Sequence, residues 1–558
     1  MATRKPSSEV ETNMDVNAIL SRYEKLKSSR DGSWLSIWKE TRRLCMPTEQ
    51  VDVSPGGERT GELFDTTAIR ARQRLAAGMY NWMAPPEQRW FELQAADIDI
   101  AKDDDVKAFF AKSTRIVAEA MANSNWPSVL IETLNNLACG MDGIVYCEDC
   151  PDPDLLNFKC FPVEMVCYSE SSKGKVDTVF VEFKMTARQM LQEFNKSDLP
   201  ESVAAEAEEP RKQDTEYSIL HAVFPRKQRN SDMADSKNMP IADIYIDLKS
   251  RKIISEGGFF ETPFAVCRFS KASNEQYGRG PGIDLVPDIK MVNRMREAYI
   301  LGREYQSDPT YMAPDGSIVS ENFNKSPGGL IFYKPDLSGL KPEPIPNTAD
   351  LLSLYRDIQE ERSEIKQGFF WDIFDPLGDL KQITATEAEI RNEGKMIPFA
   401  PIAGNLHSEL FSVIIQRVFG LLARRGKLPE VPEKLKENGK YKIEFVSKIA
   451  RSLKKLEAMG WLQTEASLAN IFNIKPDVAD NFNLDEVARQ IALVNGVNPE
   501  MLQPVRTRDD IRAERAAAQQ QAAAAQQLME GAGIIGNNLG KAPEPGSPLE
   551  AVMQGSGV

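Results

Sequence analysis

Two long helical segments on either side of a proline- and glycine-rich stretch constrain this chain more than any other feature. The first is predicted at 284–306, where Asp284 would cap a helix that tolerates Pro287 in its first turn. The second is predicted at 349–367, with apolar side chains recurring on one helical face. Each would be a rod of about 30 Å with an apolar stripe that it cannot bury alone. We therefore expect these rods, with the 307–348 excursion between them, to pack against lateral neighbours around an axis.

The part of the chain before these rods has the pattern of an α+β fold. A chain of 558 residues is too long for one compact core. Helical spacing predicts helices near 14–29, 31–45 and 65–82, and another from about Asp104. Short alternating runs then predict antiparallel strands between 143 and 268. The chain as a whole is predicted to be α+β and mostly helical.

The part after the rods is predicted to be helical. An aromatic loop at 368–383 leads into a long helix over 384–429, which two prolines should kink. Residues 430–530 carry further helical patterns, including a run rich in Ala and Gln. The two ends of the chain, 1–13 and 531–558, are predicted to be loose.

The composition argues against a protein that grips nucleic acid tightly or spans a membrane. The 68 basic and 82 acidic residues give a net charge of -14, whereas tight DNA binding needs an excess of basic side chains. The most apolar run, 411–423, contains Gln416 and Arg417 and is too short to cross a bilayer. Seven Cys, an odd number, favour reduced thiols over a disulfide framework.

Cys147, Cys150, Cys160 and Cys167 raise the question of a metal site, because four clustered thiolates can ligate zinc. The second pair, however, is separated by six residues rather than two, and both members lie in strand-like apolar runs. This spacing favours ordinary buried or surface thiols. We predict no metal and no cofactor.

Few residues suggest catalysis. His221 lies in a strand-like run and His407 in a helix, and neither belongs to a recognisable nucleophile–base motif. Asp243 and Asp247 would share one face of a strand with Tyr245, and paired carboxylates can hold Mg²⁺ for phosphoryl transfer. The same alternation is typical of a solvated strand face. We favour that interpretation and predict that the chain is not an enzyme.

Gly278, Gly280 and Gly282 precede the first rod. A glycine-rich turn before a helix can cradle a phosphate. This segment, however, lacks the Gly-Lys-Ser/Thr ending of a P-loop, and Pro281 removes an amide donor. We therefore predict a flexible hinge before the rod.

Four groups of residues, in a fixed order, carry a family resemblance. None is a catalytic signature, and each is weak when taken alone. In this order and spacing, over about residues 15–430, they resemble the head-to-tail connecting (portal) family of short-tailed, podovirus-type bacteriophages. The groups are 63–70 (LFDTTAIR) with 74–79 (RLAAGM), 174–179 (GKVDTV) with 185–189 (MTARQ), 277–282 (YGRGPG) with 287–290 (PDIK), and 384–391 (TATEAEIR).

The resemblance implies a portal-type subunit that assembles into a ring, normally of twelve copies, around a central channel. Such a subunit has wing, stem, clip and crown regions. The implied regions are 14–283 (wing), 284–306 and 349–367 (stem helices), 307–348 (clip), 368–383 (tunnel loop), 384–429 (kinked wing helix) and 430–530 (crown).

The same resemblance assigns the tunnel loop to the channel. Its residues facing DNA would be Phe369, Phe370, Trp371, Lys381 and Gln382, with Lys381 best placed to touch the phosphate backbone. A buried aromatic cluster is the open alternative for the aromatic residues, because buried clusters are the commoner fate of such runs.

The implied function is a DNA conduit at one capsid vertex, used for genome packaging and ejection. The protein would be located in the virion after assembly in the host cytoplasm, and no membrane partner is expected. An acidic ring repels phosphates, so double-stranded DNA would slide through it without sequence specificity. Expected partners are further copies of the chain, the terminase large subunit, a tail adaptor protein, the major capsid and scaffolding proteins and internal core proteins.

Two alternative functions come from other classes of protein. One is a metal-dependent nucleic-acid-processing enzyme that uses Asp243 and Asp247. The other is a different virion adaptor or tail protein, which a ring with a central hole would distinguish from a portal.

Overall fold

The structure is a computed structural model. It describes residues 15–50, 63–309, 350–374 and 397–446, with gaps of one to three residues inside these ranges, together with Gly57, residues 311–312 and 343–344, and most of 481–494 and 501–538. The chain forms two compact units, Met1–Glu457 and Ala458–Val558. The predicted α+β class is confirmed.

The helices of the first unit lie before, between and after the strands. They are α1 (Val16–Cys45), α2 (Thr67–Met83), α3 (Asp104–Ala122), α4 (Trp126–Cys139), α5 (Ala187–Glu193), α6 (Glu201–Glu208), α7 (Pro281–Asp284), α8 (Val286–Ser307), α9 (Leu351–Gly368), α10 (Ala400–Asn405), a π-helical turn (Leu406–Phe411), α11 (Ser412–Arg424) and α12 (Glu433–Asn438).

The strands described are all antiparallel to their neighbours. They are β1 (Phe91–Ala95), β2 (Gly143–Asp149), β3 (Leu156–Phe161), β4 (Val166–Glu170), β5 (Val176–Thr186), β6 (Glu216–Pro225), β7 (Ile241–Asp247), β8 (Lys252–Phe259), β9 (Phe264–Cys267), β10 (Tyr311–Met312), β11 (Glu343–Pro344) and β12 (Tyr441–Phe445).

Two sheets make up the centre of the first unit. One has five strands in the order β4-β5-β6-β7-β8, and the other has three in the order β3-β2-β9. In β7 the alternation predicted from the sequence is present, with Ala242, Ile244 and Ile246 buried. The largest hydrophobic core lies beside the three-stranded sheet and includes Trp38 of α1 and Leu75 of α2.

Helix α1 corrects one prediction. The sequence favoured two helices, near 14–29 and 31–45, but the structure has one helix of 30 residues that passes through Gly32. A glycine inside a helix costs only about 1 kcal/mol. Burial on both sides of the glycine outweighs this cost, because Arg30 bonds the Val166 carbonyl at 3.2 Å and Trp38 is fully buried.

The region after residue 430 corrects another prediction. It was expected to be helical, but Tyr441–Phe445 forms β12 and pairs with β1, with Phe445 opposite Phe91 and Tyr441 opposite Ala95. The pairing satisfies backbone N–H and C=O groups along one edge of β1, and helix α3 packs against β1. Residues 441–445 therefore belong to the first unit, and not to a helical C-terminal region.

Two smaller differences concern helix ends. Asp284 was expected to cap the first rod, but it is the last residue of α7, and α8 begins at Val286 after Leu285. Helix α6 was not predicted within the polar segment 196–215. Pro287 does lie in the first turn of α8, and Gly426, at φ +64°, follows the end of α11.

The segment Ala400–Arg424 is long and apolar enough to cross a membrane by length and composition, and half of its most apolar 18-residue stretch is buried inside the protein. Its buried side chains, among them Leu410, Phe411 and Ile414, belong to the main core. A core helix passes the same test as a membrane span, so the segment is explained by its packing.

The second unit contains α13 (Leu484–Val494) and α14 (Val505–Asn538). Asp485 accepts hydrogen bonds from Arg512 at 2.6 and 2.8 Å, which ties the two helices together. Helix α14 continues to Asn538, although residues from 531 were predicted to be loose. An established helix adds one hydrogen bond for each further residue, which offsets the cost of its glycines.

Candidate functional site

Helices α8 and α9 form an antiparallel pair, at the positions predicted for the two rods. Leu285, just before α8, contacts Gly368 at the end of α9, and Gly302 near the end of α8 contacts Leu351 at the start of α9. The rings of Tyr299 and Tyr355 lie 5.9 Å apart between them. A side chain at Gly302 would come 2.7 Å from Leu351, so this glycine allows the helices to approach closely.

The base of the pair is fixed to the start of α2. Arg362 of α9 donates two hydrogen bonds to Asp65 Oδ2, at 2.8 and 2.5 Å. Asn293 of α8 accepts a hydrogen bond from the Phe64 amide at 2.7 Å. Burial alone would raise the pKa of Asp65, but hydrogen bonds from Thr67 and Arg362 hold it below its usual value. The anchor is therefore a nearly buried, charged pair.

The rest of the helix pair is unusually exposed. The structure describes every residue of α8 and α9, and it buries Ile289 and Val292 in the first and Ile358 and Ile365 in the second. Large apolar side chains elsewhere on the pair stay open to solvent. Those more than two-fifths exposed are Met291, Leu301, Tyr305, Leu352 and Tyr355. An apolar surface of this kind on two exposed helices indicates an interaction site.

Carboxylates gather where the two helices meet near their base. Burial, and then the negative charges of Glu364, Asp288, Glu360 and Asp357, raise the pKa of Glu361 above its usual value. Among the described residues, Glu361 Oε2 is buried without a hydrogen-bond partner. This part of the helix pair is therefore strongly acidic.

The glycine segment before α8 is packed against α4 and the sheets. The Gly278 amide donates a hydrogen bond to Asp142 Oδ1 at 3.0 Å, and the Tyr168 hydroxyl lies 2.8 Å from Asp142 Oδ2. Burial raises the pKa of Asp142 to about 7. The Tyr168 hydroxyl has one proton to donate, and both Asp142 Oδ2 and the Gln276 carbonyl oxygen, at 3.0 Å, lie within its reach.

Gly280 and Gly282 allow two backbone segments to touch. A Cβ on Gly280 would lie 2.9 Å from the Cα of Gly140, which itself has φ +96°, and a Cβ on Gly282 would lie 2.0 Å from the Cys139 carbonyl oxygen. Only glycine fits at such distances. The hinge remains a prediction, and motion at Gly278, Gly280 or Gly282 would have to break these contacts.

A charged network beside this junction was not anticipated from the sequence. Arg268 is 3% exposed and bonds Glu409 through its amide and its Nε, at 3.0 and 3.2 Å. It also pairs with Glu170, which Lys271 contacts at 2.6 Å. Burial disfavours the charge on Arg268, but Glu409 and Glu170 hold its pKa above the usual value. Arg268 lies 98 residues from Glu170 and 141 residues from Glu409 in the chain, so no local pattern could reveal the network.

The aromatic segment predicted as a tunnel loop begins inside the core. Phe369 is fully buried, and Phe374 packs against Gly78 of α2. Trp371 is half-buried and lies under the Arg74 guanidinium, 4.2 Å from its ring centre. Phe370 has φ +57°, a left-handed conformation that is unusual for an aromatic residue.

For Phe369 the buried-cluster alternative therefore describes its position. Lys381 and Gln382 lie outside the described residues, as does the capping-box segment 384–387. The channel-facing role of the segment 368–383 remains a prediction.

The candidate catalytic carboxylates have separate partners. Asp243 lies 2.6 Å from His221 Nε2, and His221 stacks on Tyr245 with ring centres 4.2 Å apart. Asp247 is buried and accepts hydrogen bonds from the amides of Lys249 and Ser250 in the following turn. This geometry stabilises the β7 strand and its turn, and it does not bring the two carboxylates together on a metal.

The candidate thiols and the second histidine also have local environments. Cys160 contacts Thr133 at 3.6 Å, whereas Cys147 is buried within β2 and has its pKa raised to about 12 by burial. Across the described residues, no group of three or more His, Cys, Asp or Glu side chains is arranged to hold a metal ion. His407 stacks on Phe445, and burial lowers its pKa to about 4.

Comparisons with known proteins identify the family. A model of the family described as bacteriophage head to tail connecting protein matches residues 16–502. The probable portal protein of Bordetella phage BPP-1 is 28% identical over 530 residues, which cover 92% of this chain and 93% of that protein. The portal protein of Salmonella phage epsilon15 is 28% identical over 559 residues, which cover 97% of this chain and 98% of that protein. These matches confirm the family predicted from the four groups of motif residues, and the chain belongs to the bacteriophage head to tail connecting protein family.

Proposed function

We propose that this protein forms a closed ring, of about twelve copies, through which the phage genome enters and leaves the capsid. The observation that carries the proposal is the exposed helix pair α8–α9. Two helices that leave Leu301, Tyr305 and Leu352 open to water gain most from lateral neighbours of the same kind. A cyclic assembly supplies such a neighbour on each flank of every copy.

The charge of the chain supports a conduit over a DNA-gripping protein. Each copy carries a net charge of -14, which a ring multiplies by the number of copies. The acidic base of the helix pair, around Glu361, adds to this repulsion locally. Tight DNA binding depends on basic groups that neutralise phosphates and release their counterions. An acidic channel wall repels the phosphates instead, so DNA can slide past it.

The regions of the proposed portal subunit follow the described elements. The α+β part, 14–283, would be the wing, α8 and α9 the stem, and the connection containing β10 and β11 the clip. The packaging ATPase (terminase large subunit) and the tail adaptor would dock on the clip. Capsid, scaffolding and internal core proteins would contact the rest of the ring in the virion. Under this proposal the protein is structural, and ATP hydrolysis belongs to a separate motor.

Imaging of the purified full-length chain tests the proposal directly. We expect negative-stain images to show rings with a central hole, and mass photometry to give a mass close to twelve times 62.4 kDa. Scaffolding protein should be added if assembly is slow. A species that stays monomeric at high concentration, with scaffold present, would contradict the proposal. Particles without a central hole would favour a different adaptor or tail protein.

A further inference from the structure

Helix α8 has an outer face that does not contact α9. Arg294, Leu301 and Tyr305 are spaced seven and four residues apart, which places them on one side of the helix. The Arg294 side chain is 83% exposed, Leu301 is 47% exposed and Tyr305 is 57% exposed. Gly302 faces α9, and Leu301 precedes it by one residue, or about 100° of helical rotation.

Helix α9 has a matching outer face. Leu352, Arg356 and Glu360 follow one another at intervals of four residues, and all three are exposed, Leu352 by 62%. Leu351 faces α8, and Leu352 follows it by one residue. Leu301 is one residue before Gly302 on α8, and Leu352 is one residue after Leu351 on α9. Because the two helices run antiparallel, these two positions point to opposite flanks of the helix pair.

The contacts between the helices fix which residues lie at the same height. Gly302 lies at the same height along the helix pair as Leu351, and Tyr299 at the same height as Tyr355. Moving one residue toward the start of α8 therefore corresponds to moving one residue toward the end of α9. Leu301 is then level with Leu352. By the same count, and within about one residue rise of 1.5 Å, Arg294 is level with Glu360 and Glu297 with Arg356.

We propose that these two faces bind each other between neighbouring copies, the α8 outer face of one copy against the α9 outer face of the next. The inference rests on the proposed ring. Rotation about a ring axis moves a copy sideways without changing its height, so residues that are level in one copy meet across the interface when the rods run along the axis. Leu301 then meets Leu352 of the next copy, and Arg294 meets its Glu360.

The three pairings are complementary in chemistry. Leu301 and Leu352 bury apolar surface that each copy otherwise exposes to water. Arg294 meets a carboxylate at Glu360, and the Glu297 carboxylate meets Arg356. Within one copy Arg294 donates to Glu297 at 2.8 Å, so the four charged groups would form an alternating network across the interface. Because the faces differ, the contact is head-to-tail and closes into a ring instead of a dimer.

Cysteine cross-linking tests the apolar pairing. In the double variant L301C/L352C, diamide should take two electrons and two protons from facing thiols and join neighbouring copies through disulfides. A non-reducing gel should show a ladder up to the full ring, which collapses to monomer on reduction. The single variants L301C and L352C, and the mismatched pair L301C/S363C, should remain monomeric on the same gel. Monomer alone from L301C/L352C rings would overturn the inference.

Charge reversal tests the ionic pairing. We expect Arg294→Glu or Glu360→Arg to lower the ring fraction in mass photometry at least tenfold, and the double reversal R294E/E360R to restore it. Arg115→Glu is the matched control, because the Arg115 side chain is 70% exposed on α3, away from the helix pair. Circular dichroism should show the same helical content in all variants.

The results separate this inference from the proposed function. If the wild-type chain forms no rings under any condition, the proposed function fails and the inference fails with it. If wild-type rings form, but no ladder appears and the single reversals assemble normally, the inference alone is wrong.

Discussion

Replacing Gly282 with alanine is the sharpest test of the junction that carries α8. A Cβ at Gly282 would lie 2.0 Å from the Cys139 carbonyl oxygen and 2.6 Å from its carbon, whereas ordinary contacts begin at 3.4 Å. The atoms in the way belong to the backbone of α4, so no side-chain rotation can relieve the clash. The two segments would have to separate by more than an ångström, which would also weaken the bond from the Gly278 amide to Asp142.

The expected cost follows from this geometry. Overpacking of a close-packed site costs about 1–3 kcal/mol, and loss of a buried hydrogen bond adds about 1 kcal/mol. We therefore expect Gly282→Ala to lower the free energy of unfolding by roughly 2–4 kcal/mol. At about 2.1 cal/mol/K per residue, the entropy of a unit this large converts that loss into roughly 2–4 °C of Tm.

The assay is urea and thermal unfolding followed by circular dichroism, with Gly32→Ala as the matched control. Gly32 lies within α1, and a Cβ added there would have no neighbouring atom within 4 Å. Alanine there should raise stability by about 1 kcal/mol through helix propensity. If Gly282→Ala were as stable as the wild type or as Gly32→Ala, the close-packed junction would be refuted.

Three further predictions concern charged and titratable groups. Arg362→Ala should lower the free energy of unfolding by roughly 3 kcal/mol at pH 7 in urea titrations, because it leaves the Asp65 carboxylate buried without its cation. The loss should shrink below about pH 4, where the carboxylate becomes protonated. Arg115→Ala, which breaks an exposed ion pair, is the control and should cost under about 0.5 kcal/mol. Burial raises the pKa of Asp142 to about 7, so this carboxyl contributes stability that grows as pH falls from about 7 to 4; the difference in unfolding free energy between the wild type and Asp142→Asn should shift in favour of the wild type over that range, and a difference independent of pH would contradict this. Burial lowers the pKa of His407 to about 4, so its contribution to folding stability is full above about pH 6.5 and is lost as the pH falls toward 4. His407→Phe should reduce this loss of Tm at acidic pH, and it should add about 1 kcal/mol of stability because it removes a buried Nε2 without a hydrogen-bond partner. An unchanged dependence of Tm on pH would contradict this prediction.

Local pattern was enough to place the elements that matter most for function. Helices α8 and α9 lie within two residues of their predicted ends, because helical periodicity and the flanking prolines and glycines act over a few neighbouring residues. The alternation in β7 and the end of α11 before Gly426 were predictable for the same reason. The order of the motif residues was enough to predict the family.

Tertiary structure decided everything that depends on distant partners. The continuity of α1 through Gly32 comes from burial of Arg30 and Trp38, and β12 is a strand because it pairs with β1, some 350 residues earlier. Phe369 is buried, and Gly282 leaves no room for a side chain, because folding brings distant parts of the chain together. A sequence window reports the preferences of the backbone, but only the folded chain determines which groups are removed from water together.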